Sequence, residues 1–442
     1  LRIAFDPTQL KTESPYRWIM VGFAAVTCVI GIAMPMTSLS VLLPDVAADF
    51  GLSPLQMGIL WATSSVTGMI IGLFAGSAGD RFGTRITMIV LCIGTAIFGA
   101  LRGFSGGFWG FFFASFMLGI FQPALPIIAH KLAGEWFPRN HLGLANGIVA
   151  MGFALGLTLG AFLGAAYLSP WLGGWENVLI FYGVMILIIG ILWALIHPAD
   201  SSLPFEQVID SKEPFEQVID SKEPFEQVIG GKQVLQPAPS ENKPETISLR
   251  QGFGHVMRLR NLWIIALGAM GVRAGFAGFS GYLPTYLQTI GWTPATAGNA
   301  LSIFFLVSLV GVIPLSMLSD KLQTRRGFLI FGSLLMGIGF CLLSVVDNML
   351  IWGAVIIAGL AFDGFMSIYT TAVLEVKGVG MLYAGTALGF AGLIRNIGGI
   401  VSPPLGNSLA SFGPSIPFAF WGVLTLLSVA AFWMLPPREI EE

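Results

Sequence analysis

The sequence Gly76-Ser77-Ala78-Gly79-Asp80-Arg81-Phe82-Gly83-Thr84-Arg85 is a short charged hairpin set between two long apolar runs. A second version appears between Pro314 and Arg326, where Asp320 stands 240 positions after Asp80 and Arg325 stands 240 after Arg85. The same offset, without a gap, pairs Pro44 with Pro284, Gly51 with Gly291, Pro54 with Pro294 and Gly58 with Gly298. The chain is a duplicated unit. Because the repeats are built from apolar segments, they read as repeats of membrane helices.

Composition agrees. With 55% hydrophobic residues, 10% charged and a mean hydropathy of +0.80, the chain cannot cover itself with a water-facing surface. A spanning helix needs about 20 mostly apolar residues. Twelve segments qualify: 18–43, 55–77, 84–102, 108–130, 142–168 and 175–196, then 261–287, 295–319, 326–345, 349–373, 381–411 and 413–435. The expected fold is an all-α membrane protein with twelve transmembrane helices in two six-helix pseudo-symmetric halves. The expected division is a cytoplasmic segment 1–17, a first bundle 18–197, a linker 198–260, a second bundle 261–435 and a tail 436–442. The first run is too long for a signal peptide and is read as helix one, with Pro44 closing it.

The two charged hairpins resemble the signature of the major facilitator superfamily, a Gly-x-x-x-Asp-Arg-x-Gly-x-Arg loop after helix two with a degenerate copy after helix eight. The resemblance implies a transporter whose inner face is latched by these loops. Carried over residue by residue, it assigns gating roles to Gly76, Asp80, Arg81, Gly83, Arg85, Asp320 and Arg325. The second copy has Ser316 and Gln323 in place of the glycines, which implies a looser latch. The segments Glu135-Trp136-Phe137-Pro138-Arg139 and Gly143-Leu144-Ala145-Asn146-Gly147 resemble the organic-anion members, the oxalate/formate, monocarboxylate and cyanate carriers. Ser115 stands where proton-driven exporters carry an arginine, and helix five lacks the Gly-Pro pair of drug antiporters. Helix five instead repeats Gly152, Gly156, Gly160 and Gly164, small residues that allow close helix approach.

With both termini inside, 19 of the 22 basic residues fall on cytoplasmic segments. The positive-inside bias therefore predicts cytoplasmic termini and linker, in a multi-pass protein of the plasma or inner membrane. Only Arg102 lies at a predicted outer end. The linker's Pro-Phe-Glu-Gln-Val-Ile-Asp-Ser-Lys-Glu decads, starting at 204, 214 and 224, read as a polar spacer with too little apolar surface to fold. His130, His141 and Glu375 read as residues of the inner interface.

Three charges sit near the predicted midplane: Arg273 in helix seven, Asp363 in helix ten and Arg395 in helix eleven. Their repeat-related positions are Ala33, Pro123 and, with an offset of 242, Phe153, so the scaffold does not need charges there. A charge at the bilayer centre costs about 2.5–3.5 kcal/mol on insertion scales, which makes each a candidate for function. Two arginines against one aspartate leave a cation to bind an anion, and a guanidinium matches a carboxylate through paired donors. The expected substrate site is Arg273 and Arg395 with Gln122, Phe276, Tyr282 and Tyr369. Asp363 is the expected proton-coupling group.

The leading reading is alternating-access transport of a small anion with proton symport. Apolar efflux in the same fold and a non-transporting sensor signalling through the linker are the alternatives. No nucleophile, nucleotide or metal motif appears, so an enzyme, a cofactor, a metal and a nucleic-acid partner are not expected. Cys28, Cys92 and Cys341 fall inside spans without metal or disulfide spacing. The expected partners are the anion, protons and membrane lipid, with the chain a monomer.

Overall fold

The computed structural model describes residues 16–137, 139–196, 249–322 and 324–436, and places no strand among them. Helix one runs Tyr16–Phe50, helix two Pro54–Phe82, helix three Thr84–Leu101, helix five Arg139–Leu163 and helix six Trp175–Ile196. Helix four comes in two pieces, Phe108–Phe121 and Ala124–Trp136. Helix seven is Arg260–Thr289, eight Pro294–Leu322, nine Arg325–Leu342, eleven Gly380–Ser408 and twelve Ile416–Trp433. Helix ten repeats the break of helix four, as Leu350–Leu360 and Phe362–Leu374. Among the described residues 11 helices are long and apolar enough to span a bilayer, and helix two, of 29 residues, completes the expected twelve.

Several boundaries differ from the sequence reading. Pro44 does not close helix one. The helix continues past it to Phe50, and Gly51 stops it in the left-handed region at φ 63°. Helix two begins as expected, with Ser53 and Gln56 capping each other's backbone N–H groups. It runs on to Phe82, so most of the charged stretch is helical and the turn reduces to Gly83. At φ 78° and ψ 152°, Gly83 occupies a region that a Cβ would disfavour. The decads lie outside the described residues. The expected linker nevertheless ends in structure, because Leu249–Val256 is a helix. It sits on helix eleven through His255, which stacks on Tyr383 at 4.1 Å and bonds the Gly378 carbonyl at 2.7 Å.

The glycines of helix five lie against helix one. A Cβ on Gly156 would come within 2.6 Å of the Ala33 Cβ, and one on Gly160 within 2.4 Å of the Met34 carbonyl. That stripe holds one half together. Hydrogen bonds between the halves use other residues, at the predicted outer end. Trp61 Nε1 donates to the Ala277 carbonyl at 2.8 Å, Ser302 Oγ to Thr158 at 3.0 Å and Gln288 Nε2 to Val41 at 3.5 Å. Ser40 Oγ donates to the Ser280 carbonyl, which lost its helical donor because Pro284, four residues on, has no N–H. Every hydrogen bond between the halves that joins two described residues is at this end. The molecule is sealed there.

Candidate functional site

Between the halves lies a cavity of about 590 Å³. It extends from Trp61 and Ser280 at the sealed end toward Ile127 and Leu388. Its walls come from helices one, two, four, five, seven, ten and eleven, joined by the end of helix three.

The breaks in helices four and ten position the polar groups. Pro123 sits at the first break and offers no N–H to the helix. Its counterpart Asp363 has an N–H, but donates it across to Ser308 Oγ on helix eight at 2.9 Å. Ser308 in turn donates to Asp363 Oδ2 at 2.6 Å. The two repeats thus break at one position by different chemistry. Gly68, the counterpart of Ser308, packs on Pro123 so closely that a Cβ would lie 2.7 Å from the ring. The Gly68–Pro123 contact has become Ser308–Asp363 in the second half. Asp363 also lies in the first turn of its half-helix, where the positive end of the dipole favours a carboxylate.

Helix one is loosened at the same depth. Pro35 leaves the Gly31 carbonyl without its donor, inside a π-helical segment Val29–Ala33. Gln122 Nε2 supplies that donor at 2.8 Å. The expected substrate contact Gln122 therefore lines the cavity with its Nε2 already engaged. Replacing Gln122 with Leu should strand a buried carbonyl and cost about 1–3 kcal/mol. Detergent-solubilised Gln122→Leu is expected to melt below the parent protein, and an unchanged melting temperature would show the bond to be dispensable.

Arg273, Arg395, Phe276 and Asp363 all line the cavity. Arg273 Cζ lies 5.5 Å from the Phe276 ring centre, and its side chain packs against Gly399 of helix eleven. Arg395 lies over the Tyr369 ring at 5.3 Å and reaches Met366 Sδ at 3.3 Å, while its Nε is buried without a partner. Among the described residues neither guanidinium has an ion pair, since Asp363 turns to Ser308 instead. Tyr369 therefore supports Arg395 from behind rather than lining the cavity. Tyr282 is placed elsewhere. Its hydroxyl donates to the Pro414 carbonyl at 3.0 Å and its ring packs on Phe418 and Trp421, in the interior of the second half. Sequence reasoning missed Ser308, because a serine in an apolar helix carries no signal until its partner is known. The 240 offset from Gly68 to Ser308 was the available clue.

Of the expected gating residues, Gly76 and the side chains of Asp80 and Asp320 lie outside what the structure describes. Arg81 is exposed beside the Phe82 ring. Arg85 donates to the Ala194 carbonyl at 2.6 Å. Arg325 pairs with Glu375 at 3.2 Å and donates to Ser319 Oγ at 3.1 Å. The repeat partner of Glu375 is Glu135, which accepts Thr84 Oγ1 at 2.8 Å. These contacts tie each charged turn to its own half.

A sequence profile described as the Major Facilitator Superfamily matches residues 24–377 and 265–442, most of the chain. The chain belongs to the major facilitator superfamily. Members of this superfamily are transporters and not enzymes. A probable nitrate/nitrite antiporter of Thermus thermophilus is 23% identical and aligns over 97% of this chain and 93% of its own length. A hexuronate transporter of Bacillus subtilis (strain 168) is 23% identical over 36% of each chain. Monocarboxylate transporter 13 of Rattus norvegicus is 26% identical over 34% of this chain and 37% of its own. The fold matches a bacterial homologue of the human lysosomal transporter Spinster, solved inward-facing and unoccupied. That match has a TM-score of 0.69 at 16% identity and covers 96% of both chains. The cavity of this major facilitator protein thus carries on one wall two arginines that have no ion pair among the described residues.

Proposed function

We propose that this major facilitator protein carries a small anion, organic or inorganic, through the central cavity by alternating access. The observation that carries the reading is that Arg273 and Arg395 line one cavity without an acidic partner among the described residues. The relatives' named cargoes, hexuronate, nitrate/nitrite and monocarboxylate, are all anions. The cavity wall is otherwise apolar and aromatic, with a few convergent polar groups, as in ordinary small-molecule sites. Asp363 couples transport to protons, because it can take up a proton without breaking an ion pair. The termini face the cytoplasm and the sealed end faces outward, so this conformation opens inward.

Anion exchange is a second reading, favoured by the full-length likeness to a nitrate/nitrite antiporter. Closing an empty cavity around two uncompensated cations is costly, and a bound anion on each passage relieves that cost.

The test is uptake of labelled formate, lactate, glucuronate, nitrate and nitrite into proteoliposomes. One arm uses an inward proton gradient and the other uses unlabelled anion preloaded inside. Gradient-driven uptake that is lost in Asp363→Asn supports symport. Uptake only into preloaded vesicles supports exchange. Absence of anion transport in both arms, with efflux of lipophilic dyes, would overturn both readings.

A further inference from the structure

The two halves bring unlike walls to one cavity. Ser40 Oγ donates to the carbonyl of Ser280, its own repeat partner 240 positions on, so the axis relating the halves passes between these two residues. Repeat-related residues that line the cavity therefore lie at matching depth on opposite walls. In this sense Asp363 faces Pro123 and Arg395 faces Phe153, and all four are in the lining. The counterpart of Arg273 is Ala33, which is buried against Gly156. With Phe153 the first half contributes Met36, Leu39, Met69 and Leu157.

Charge thus stands on one wall at this depth and apolar surface on the other. The first wall has few polar groups to offer. Gln122 Nε2 is spent on the Gly31 carbonyl and Trp61 Nε1 on that of Ala277, both at 2.8 Å. Among the described residues, Ser64 and Ser65 supply its hydroxyls. Arg102 packs on Phe111 at the outer end, where Phe50 closes helix one. Other rings of the lining are engaged as well. Phe276 stacks on Phe362 at 4.0 Å and carries Arg273, while Trp61 covers Gly281 of helix seven. Phe153 is the ring that the first wall turns to the depth of the arginines.

We propose that the carried anion is a monocarboxylate with an apolar body, and that Phe153 is the specificity-determining residue that receives this body while Arg273 and Arg395 hold the carboxylate. This rests on the anion reading above. A bare oxyanion such as nitrate would use the arginine wall alone and leave the apolar wall in contact with water. A hexuronate would set a ring of hydroxyls against Phe153 and Leu157, where their hydrogen bonds to water are lost without replacement. A carboxylate with an aliphatic or aryl group matches both walls, and each methylene it buries should tighten binding roughly fourfold.

The experiment is ligand-dependent thermal stabilisation of the purified full chain in detergent, with formate, nitrate, glucuronate and 3-methylbutyrate titrated separately. The amide 3-methylbutanamide keeps the body without the charge and controls for solvent effects. The parent is expected to bind 3-methylbutyrate at least roughly 10-fold more tightly than formate, and the amide not measurably. Phe153→Asn should shrink that ratio by about 10-fold, whereas the apolar Phe153→Leu should keep most of it. A merely structural Phe153 would change the melting temperature without moving the ratio. Formate, nitrate or glucuronate binding as tightly as 3-methylbutyrate would overturn the inference and leave the anion reading standing. An unchanged ratio in folded Phe153→Asn would overturn the role of Phe153. If neither Phe153 variant folds, the residue belongs to packing and its role fails, while the parent's ranking of ligands still decides the substrate class. If no anion stabilises the parent, or the amide does so as well as the acid, the anion reading falls and this inference falls with it.

Discussion

Arg273→Gln and Arg395→Gln are each expected to weaken anion binding by about 2–4 kcal/mol, roughly 30- to 1000-fold, while leaving the empty protein as stable as before or more so. The two effects have one cause. Each guanidinium is held in the cavity by aromatic faces, sulfur and glycine rather than by a carboxylate, so removing it breaks no ion pair. A buried cation without a partner is a cost to the empty fold that the anion relieves. Melting curves with and without nitrate or formate separate this from simple damage. If the variants melted well below the parent without anion, the arginines would be structural and the binding assignment would fail. Gln keeps hydrogen-bonding capacity but loses the charge and the planar fork, so it tests recognition and not mere polarity.

The second large effect concerns the seal between the halves. Gly58 on helix two meets helix eleven so closely that a Cβ would lie 2.6 Å from the Pro403 carbonyl and 2.7 Å from Pro404 Cα. Gly298 on helix eight, its repeat partner, approaches the Ala161 carbonyl of helix five at 2.5 Å by the same measure. Backbone faces backbone in both places, so a larger residue cannot be absorbed by rotating a side chain. Gly58→Leu is expected to penalise the sealed arrangement by about 1–3 kcal/mol, the usual cost of overpacking. That shifts the balance between sealed and open states by roughly 5- to 150-fold. Transport should fall because the cycle must pass through the sealed state. A cysteine at Ser64, in the cavity wall, should react faster with a membrane-impermeant thiol reagent added from outside. Unchanged labelling together with unchanged transport would show that the contact is not part of the gate.

Much of this was legible in order along the chain. The 240-residue offset, the apolar lengths and the placement of basic residues specify twelve helices in two related halves, because each depends on local composition or on matching one segment to another. The break at Pro123 was legible for the same reason, since a proline's missing N–H acts within its own turn, whereas the break at Asp363, where no proline stands, was not. The midplane charges stood out because lipid tolerates so few of them.

What the order of residues could not decide is which groups face one another across helices. Tyr282 and Arg273 share a helix, yet one points into the bundle interior and the other into the cavity. Nine residues apart at about 100° each, they lie on opposite faces of helix seven, and packing of Tyr282 against helix twelve settles which face turns to the cavity. Pro44 reads as a terminator until the helix is seen to continue past it to Phe50, and at Pro284 a hydroxyl from Ser40 of the opposite half serves the carbonyl that the proline frees. Asp363 reads as the partner of an arginine until Ser308 takes both its amide and its carboxylate. Arg102 reads only as a basic residue at a predicted outer end until its side chain is seen to be buried and to line the cavity. The sequence by itself determined the family, the span count and the presence of midplane charge, because these follow from local hydrophobicity and internal repetition. Only the tertiary structure decided which charges go unpaired in a shared cavity, because pairing depends on helix rotation and on contacts between residues far apart in the chain.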